Sequence, residues 1–565
     1  MKFQKQIKNI IATLFLLNLV HAQDNTENEI ILTPGPIVSK YNKNDLDEIY
    51  DESSIEIQCT GISCNSSSNN VLLDEGKVTI SNPGTYILGG ELNGQLNIAV
   101  SKEDTVHLIL RNATISSDFG PAIYGEKCKK VIITTEGENT ISDSTNYPED
   151  TTTTTSIITT DEIETDIMDE VNKEIENNET EDEQSKPPNA CIFIKSNLTL
   201  NGKGTLNVYG NFDEGIRSKK NLKIISGKIN VISEGNSIKA KESISIKDGE
   251  INIDSGKSAI KVTKDTEPEE GFIVIDGGKI IVKAVKDAIH AETHLTINDG
   301  NIKIIDCEEG LEAQMIDIIG GDIFINTTDD GINATRIGST GDDEEIAPKD
   351  GYNYDEQVYI RIIGGKVDVK ADSKNTDGID SNGSLYIGGN SEVYADIVYG
   401  SAFGRLSSID SDGYKSINGN ATALITGSGK FYSGTVLEDG IKGTSSADDL
   451  TPEYVIKMYP DKTREEAESI VEYVKMSAAN GQEFIYDDPG SCSFFQPYVR
   501  IIFTTQREGI PIIIKDKEGK VLIERKPRAQ FGIIFFTSPE LIEGETYTII
   551  AGNKSDTVIA EVDHN

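Results

Sequence analysis

A set of groups able to hold charge or metal recurs along this chain at a near-constant interval: Arg217, Lys239, Lys261, His290, Glu312, Asn333 and Asp380. Each directly follows an apolar anchor, in order Ile216, Ile238, Ile260, Ile289, Leu311, Ile332 and Ile379. Two residues before each anchor stands a second series, Glu214, Asn236, Ser258, Asp287, Glu309, Asp330 and Asp377. Where no insertion intervenes the spacing is about 22 residues, within the range of stacked repeats. If repeats stack strand on strand, equivalent positions lie about 4.8 Å apart. Each series then becomes a column. One column is mostly acidic, and the other passes from basic to acidic. Carboxylates held that close repel and need cations or water between them.

Calcium takes oxygens from carboxylates, carbonyls and water. Its candidate ligands are Glu214, Asp287, Glu309, Asp330, Asp377 and Asp380, with Asp287, Glu309 and Asp330 an unbroken run. Asp329, Glu308 and Glu312 lie beside that run. The plain alternative is a solvated acidic face. Arg217, Lys239 and Lys261 are candidates to bind a polymer with one carboxylate per sugar, because charge repeats along both. Charge balance against neighbouring acids is the alternative. His290, between the basic and acidic runs, completes the candidate binding set; as a lone His it is also an ordinary surface residue or a general base.

The elements that must position these columns are short strands. Between anchors each unit has two alternating runs joined by a turn, such as Ser243 to Ile246, Lys247-Asp248-Gly249, and Glu250 to Ile253. Alternation with β-branched residues indicates strands. An all-β chain follows, with three short strands per coil stacked into a parallel β-helix. Residues 71–445 form this domain, interrupted at 142–188 by a Thr-rich acidic insertion of disordered composition. Residues 446–496 are a helical insertion, with Ala467, Ile470, Val471 and Val474 at helical spacing. Residues 497–565 are a small β-rich cap.

Residues 1–22 form a signal peptide: Lys2 and Lys5, an apolar run from Ile10 to Leu17, then Val20-His21-Ala22. A polar leader follows at 23–70. No run suits a membrane span, and the tail carries no glycolipid-anchor signal. Cys59 and Cys64 are close enough to pair in an oxidising compartment. Asn65, Asn112, Asn197, Asn326 and Asn420 are glycosylation sequons in a host that uses them. The net charge of −41 argues against nucleic acid and anionic membranes. The absence of Trp weakens a flat platform for neutral sugars.

Several stretches resemble the secreted carbohydrate-binding family of pectate-lyase-like β-helices. They are Asp118 to Ile123, Asn197 to Leu206, Gly271 to Gly278, Asp377 to Gly383, Gln496 to Val499 and Gly544 to Tyr547. The resemblance implies a right-handed parallel β-helix that binds plant cell-wall polysaccharide, notably acidic galacturonan, with bound calcium. The Asp usual before the anchor is kept at Asp287, Asp330 and Asp377; Asn236 and Ser258 depart from it. The expectation is therefore a secreted, monomeric, noncatalytic binder of polygalacturonate assisted by Ca2+. The alternatives are a calcium-dependent lyase with Lys239 or Lys261 as base, and a surface or matrix scaffold.

Overall fold

The computed structural model describes residues 35–147, 188–265, 269–336, 357–372, 376–403, 407–428, parts of 451–471, and 492–563. The expected signal peptide, most of the acidic insertion, and most of the helical insertion lie outside the described residues. Pro452, Glu453, Arg464, Glu465, Ala467, Glu468 and Val471 are helical, and Ala467 and Val471 are buried. The described chain is otherwise all-β with almost no helix, built on sheets of 27, 14 and 4 strands. The largest sheet is mixed. It is parallel through its middle and antiparallel where Ile55–Gly61 meets Ser63–Ser66 and where Thr422–Gly427 meets Phe531–Thr537.

Each repeat contributes three strands, as in Ile238–Ala240, Ser243–Ile246 and Glu250–Ser255. Each pairs in parallel with its equivalent in the next repeat: Ile238 with Ile260, Ile244 with Ile273, Ile251 with Ile280. Alternation sends one residue inward and the next outward. The anchors Ile216, Ile238, Ile260, Ile289, Leu311, Ile332 and Ile379 are fully buried in a single continuous apolar cluster. Burying each such side chain contributes about 1.5–3 kcal/mol. The residue before the anchor is small because the chain packs tightly there. A Cβ at Gly310 would lie 2.2 Å from the Gly331 carbonyl oxygen, and one at Gly331 2.2 Å from Val369 Cγ1.

The end of the chain folds over the last repeats. Ile512–Lys515, Val521–Arg525, Thr546–Ala551 and Lys554–Ile559 make the four-stranded antiparallel sheet. Arg525 and Arg528 pin it to Asp368, at 2.9 and 2.8 Å.

The leader is not a loose tail from residue 35 onward. It crosses the outer face of the large sheet against the direction of the repeats. His294 Nδ1 donates to the Gly35 carbonyl (3.2 Å), Asn298 to Ile37 (2.6 Å), and Tyr41 to Asp276 (2.8 Å). Further along, Ser226 donates to Glu48 (2.9 Å) and Tyr50 to Glu136 (3.2 Å). Its anchor is Asp45, wholly buried, which accepts from Lys223 (3.1 Å), Thr199 (2.9 Å) and Lys130. Burial alone would raise this carboxyl, yet Lys130, the Asn42 amide and Lys223 bring it down to about 2.

Candidate functional site

The 14-stranded sheet carries the charged column. Its registers run Phe193 to Arg217, Arg217 to Lys239, Lys239 to Lys261 and Lys261 to His290. They continue from His290 to Glu312, Glu312 to Asn333, and Asn333 to Asp380. Asp410 extends the column, because Ile379 pairs with Ile409. The stretch Asp410-Ser411-Asp412-Gly413 repeats Asp380-Ser381-Asn382-Gly383; that likeness was the available signal for Asp410, which the spacing argument omits.

At the basic end the charges meet one another. Glu214 is 1% exposed, Arg217 5% and Lys239 7%. Arg217 Nη1 lies 2.8 Å from both carboxylate oxygens of Glu214, and Lys239 Nζ lies 3.3 Å from one of them. Asn236 Nδ2 donates to the same carboxylate at 3.4 Å. Burial would raise the Glu214 carboxyl, but Lys239 and Arg217 hold it below its ordinary value. Glu214 was expected among metal ligands and Arg217 and Lys239 among sugar-binding residues. The structure joins all three in one buried ion pair.

The middle of the column is also self-satisfied. Asp287, His290 and Glu312 bring ligand atoms within 4.8 Å of one another. His290 Nδ1 contacts Glu312 and lies 3.3 Å from Asp287; Nε2 lies 3.3 Å from Glu292. Burial opposes a charged imidazole here, but Glu312, Asp287 and Glu292 raise His290 well above its ordinary value. Asp287 and Glu292 are lowered in turn: burial opposes this, and the bond and charge of His290 outweigh it. These carboxylates favour a proton on His290, which would compete with a metal ion for the same three ligand atoms. Ser258 Oγ also donates to Asp287 at 2.9 Å. Lys261 stands at this boundary, half-buried, and its charge acts on Asp287 and His290.

The acidic end differs. Glu309, Asp330, Asp377 and Asp380 are each raised, first by burial and then by neighbouring carboxylates. Asp330 reaches about 7 and Asp329, beside Glu308, about 6. The hydrogen bonds that reach this group do not cancel the repulsion. The Asp377 amide donates to Asp330 (2.6 Å), Asn333 Nδ2 to Glu309 (3.3 Å), and the Ser407 amide to Asp377. Lys415, 1% exposed, reaches Asp410 at 2.9 Å. The acidic side chains gathered here offer carboxylate oxygens, the ligand type that suits a hard cation such as calcium.

Residues 74–166 and 154–347 match the family model described as "Carbohydrate-binding domain-containing protein". A protein of Acetivibrio thermocellus with the same description is 31% identical over 162 residues, 28% of this chain and 46% of the relative. The two are homologous there, and the chain spans just under half of that relative. A solved structure described as the polysaccharide lyase-like protein from C. thermocellum, gadolinium derivative, shares 27% identity. It aligns over 48% of this chain and 94% of its own, with a TM-score of 0.37.

Proposed function

We propose that this chain is a secreted, monomeric, noncatalytic carbohydrate-binding protein on a right-handed parallel β-helix, and that it recognises acidic plant cell-wall polysaccharide with the help of calcium. The parallel ladders, three strands to a repeat, favour the helix. The family match favours a carbohydrate partner. The Cys59–Cys64 disulfide accords with export. The observation that carries the reading is the acidic end of the column. There Glu309, Asp330, Asp377 and Asp380 repel one another with their carboxyls pushed upward. Those four residues, with Asp329 and Asp410, would hold the ion. Calcium held there would supply positive charge that relieves them and would attract a uronate carboxylate. Lys261 is the cation of the basic run nearest to this group along the column, and we assign it a contact with the sugar acid.

Affinity electrophoresis against polygalacturonate, pectic galactan and cellulose tests this. Retention by polygalacturonate is expected in calcium. It should weaken in EDTA, and weaken to the same extent in an Asp330→Asn/Asp377→Asn/Asp380→Asn variant. Equal retention by galactan with or without chelator would overturn the reading. Growth of unsaturated-uronate absorbance during incubation would replace it with the lyase.

A further inference from the structure

The leader and the large sheet enclose a cavity of about 1050 Å³ between them. It lies on the sheet bearing Leu198, Lys223 and Ser243, not on the sheet that carries the charged column. In a chain of net charge −41 its lining is basic: Lys40, Lys43, Lys129, Lys130 and Lys223, against the carboxylate of Glu269. Two of these are already committed, since Lys130 and Lys223 hold the buried Asp45. Lys40, Lys43 and Lys129 are exposed. Hydroxyl and amide groups complete the wall, from Asn197, Asn221, Ser243 and Ser245. Phe272 adds a half-buried ring, against which Gly35 packs so closely that a Cβ there would lie 2.8 Å from Phe272 Cβ.

We propose that this cavity is a second carbohydrate site, which takes a short anionic oligosaccharide without a metal. The choice of ligand rests on the acidic-sugar reading above; the site itself does not. Three ammonium groups around one cavity attract anions, and amides and hydroxyls suit a polyhydroxylated ligand better than a bare charge. The volume suits a small ligand rather than a long chain. Asp45 fixes the leader as the site's outer wall, so that Lys40 and Lys43 line it from the leader and Lys129 from the body of the fold.

Calorimetry of the full chain with trigalacturonate in EDTA tests the proposal. One binding event is expected. It should weaken at least tenfold in a Lys40→Ala/Lys43→Ala/Lys129→Ala variant and stay unchanged in the Asp330→Asn/Asp377→Asn/Asp380→Asn variant. All three lysines are exposed, so the variant keeps the fold. No binding in EDTA, or undiminished binding by the lysine variant, would overturn the site. Galactotriose should not bind. Tighter binding of sulfated galactotriose would reassign the anion from carboxylate to sulfate ester. Equal binding of tetraglutamate would overturn the sugar and leave only a charge contact. Calcium-dependent retention on polygalacturonate can fail with this result intact, and the reverse holds as well.

Discussion

Glu214 and Asp377 occupy the same position in two different repeats, yet their surroundings differ. Around Glu214, Arg217 and Lys239 close on one buried carboxylate. Around Asp377, the neighbours are Asp330, Asp380 and Asp410, with one buried ammonium, Lys415, paired to Asp410. The backbone is equivalent, with the anchors Ile216 and Ile379 both fully buried. The difference is what occupies the position after the anchor. A cation there turns the column into a structural clamp, whereas a carboxylate there leaves it short of positive charge. One ladder thus closes on itself at one end and gathers unbalanced carboxylates at the other, the end proposed above to bind.

The largest effect should come from breaking the clamp. Arg217→Ala leaves Glu214 buried beside Lys239 alone. Removing one partner of a buried pair costs about 3–5 kcal/mol, and urea unfolding should show a loss of that order. The same kind of truncation at the other end should have the opposite sign. Asp380→Asn removes one of several crowded carboxyls, so in EDTA at pH 7.5 it should stabilise the fold, the opposite sign to Arg217→Ala. It should also reduce the gain in Tm on adding calcium. If both substitutions destabilise alike, the two ends do not differ as argued.

pH separates the ends without mutation. Asp329 is held up to about 6 and Asp330 to about 7. The folded chain therefore binds more protons than the unfolded chain above the ordinary carboxylate range, and stability from this end falls as pH rises. Glu214, Asp287 and Glu292 are lowered. Their contribution is complete above the ordinary range and is lost only as pH falls through the lowered values. His290 is raised; its contribution is complete below its ordinary value and is lost as pH climbs through the raised one. Between about pH 5 and 6.5 the acidic end titrates while Glu214, Asp287 and Glu292 stay ionised; Asp143 and Asp213, also raised by burial, act in the same direction, and His107, lowered by burial, opposes them. In EDTA, Tm should fall by a few degrees across that window. Calcium should raise Tm more at pH 6.5 than at pH 5, and a calcium gain independent of pH would contradict the assignment.

The periodic part of this arrangement was legible in the sequence. The residues aligned on Ile216, Ile238 and Ile260 are those that the strand registers place side by side, because burial forces every anchor inward and its neighbour outward. Pairing within a column was not legible. Spacing places Arg217 after Glu214 but does not say that both turn into a buried pocket. It also suggests that a basic run faces a partner, when two of its three members face a carboxylate of their own chain. The leader was the least legible. Its contacts join residues far apart in sequence, as where Asn201 Nδ2 donates to the Asp45 and Asp47 carbonyls at 3.1 Å. Such contacts impose no period on 35–50, so a polar composition there is compatible with either a loose tail or a packed strap.

The smallest effect should appear at the boundary between the two ends. Lys261 follows Lys239 and precedes His290 in register. It is half-buried, so Lys261→Ala should cost no more than about 1 kcal/mol of stability, as for a partly exposed ion pair. Glu309, the assigned calcium ligand nearest to it, lies two repeats beyond, roughly 10 Å away. Across that distance in a water-like medium, one charge repels a divalent ion by somewhat under about 1 kcal/mol. Removing it should therefore tighten calcium binding by about two- to fourfold at low ionic strength. The gain should disappear in high salt, because the separation exceeds the screening length there. Polygalacturonate retention should move the other way and weaken, since the same ammonium group is assigned to the sugar carboxylate. Tighter calcium with weaker retention would place Lys261 between the metal and the polymer. Loss of both would instead make it part of the clamp that holds Glu214, and the division between the two ends would then lie at His290.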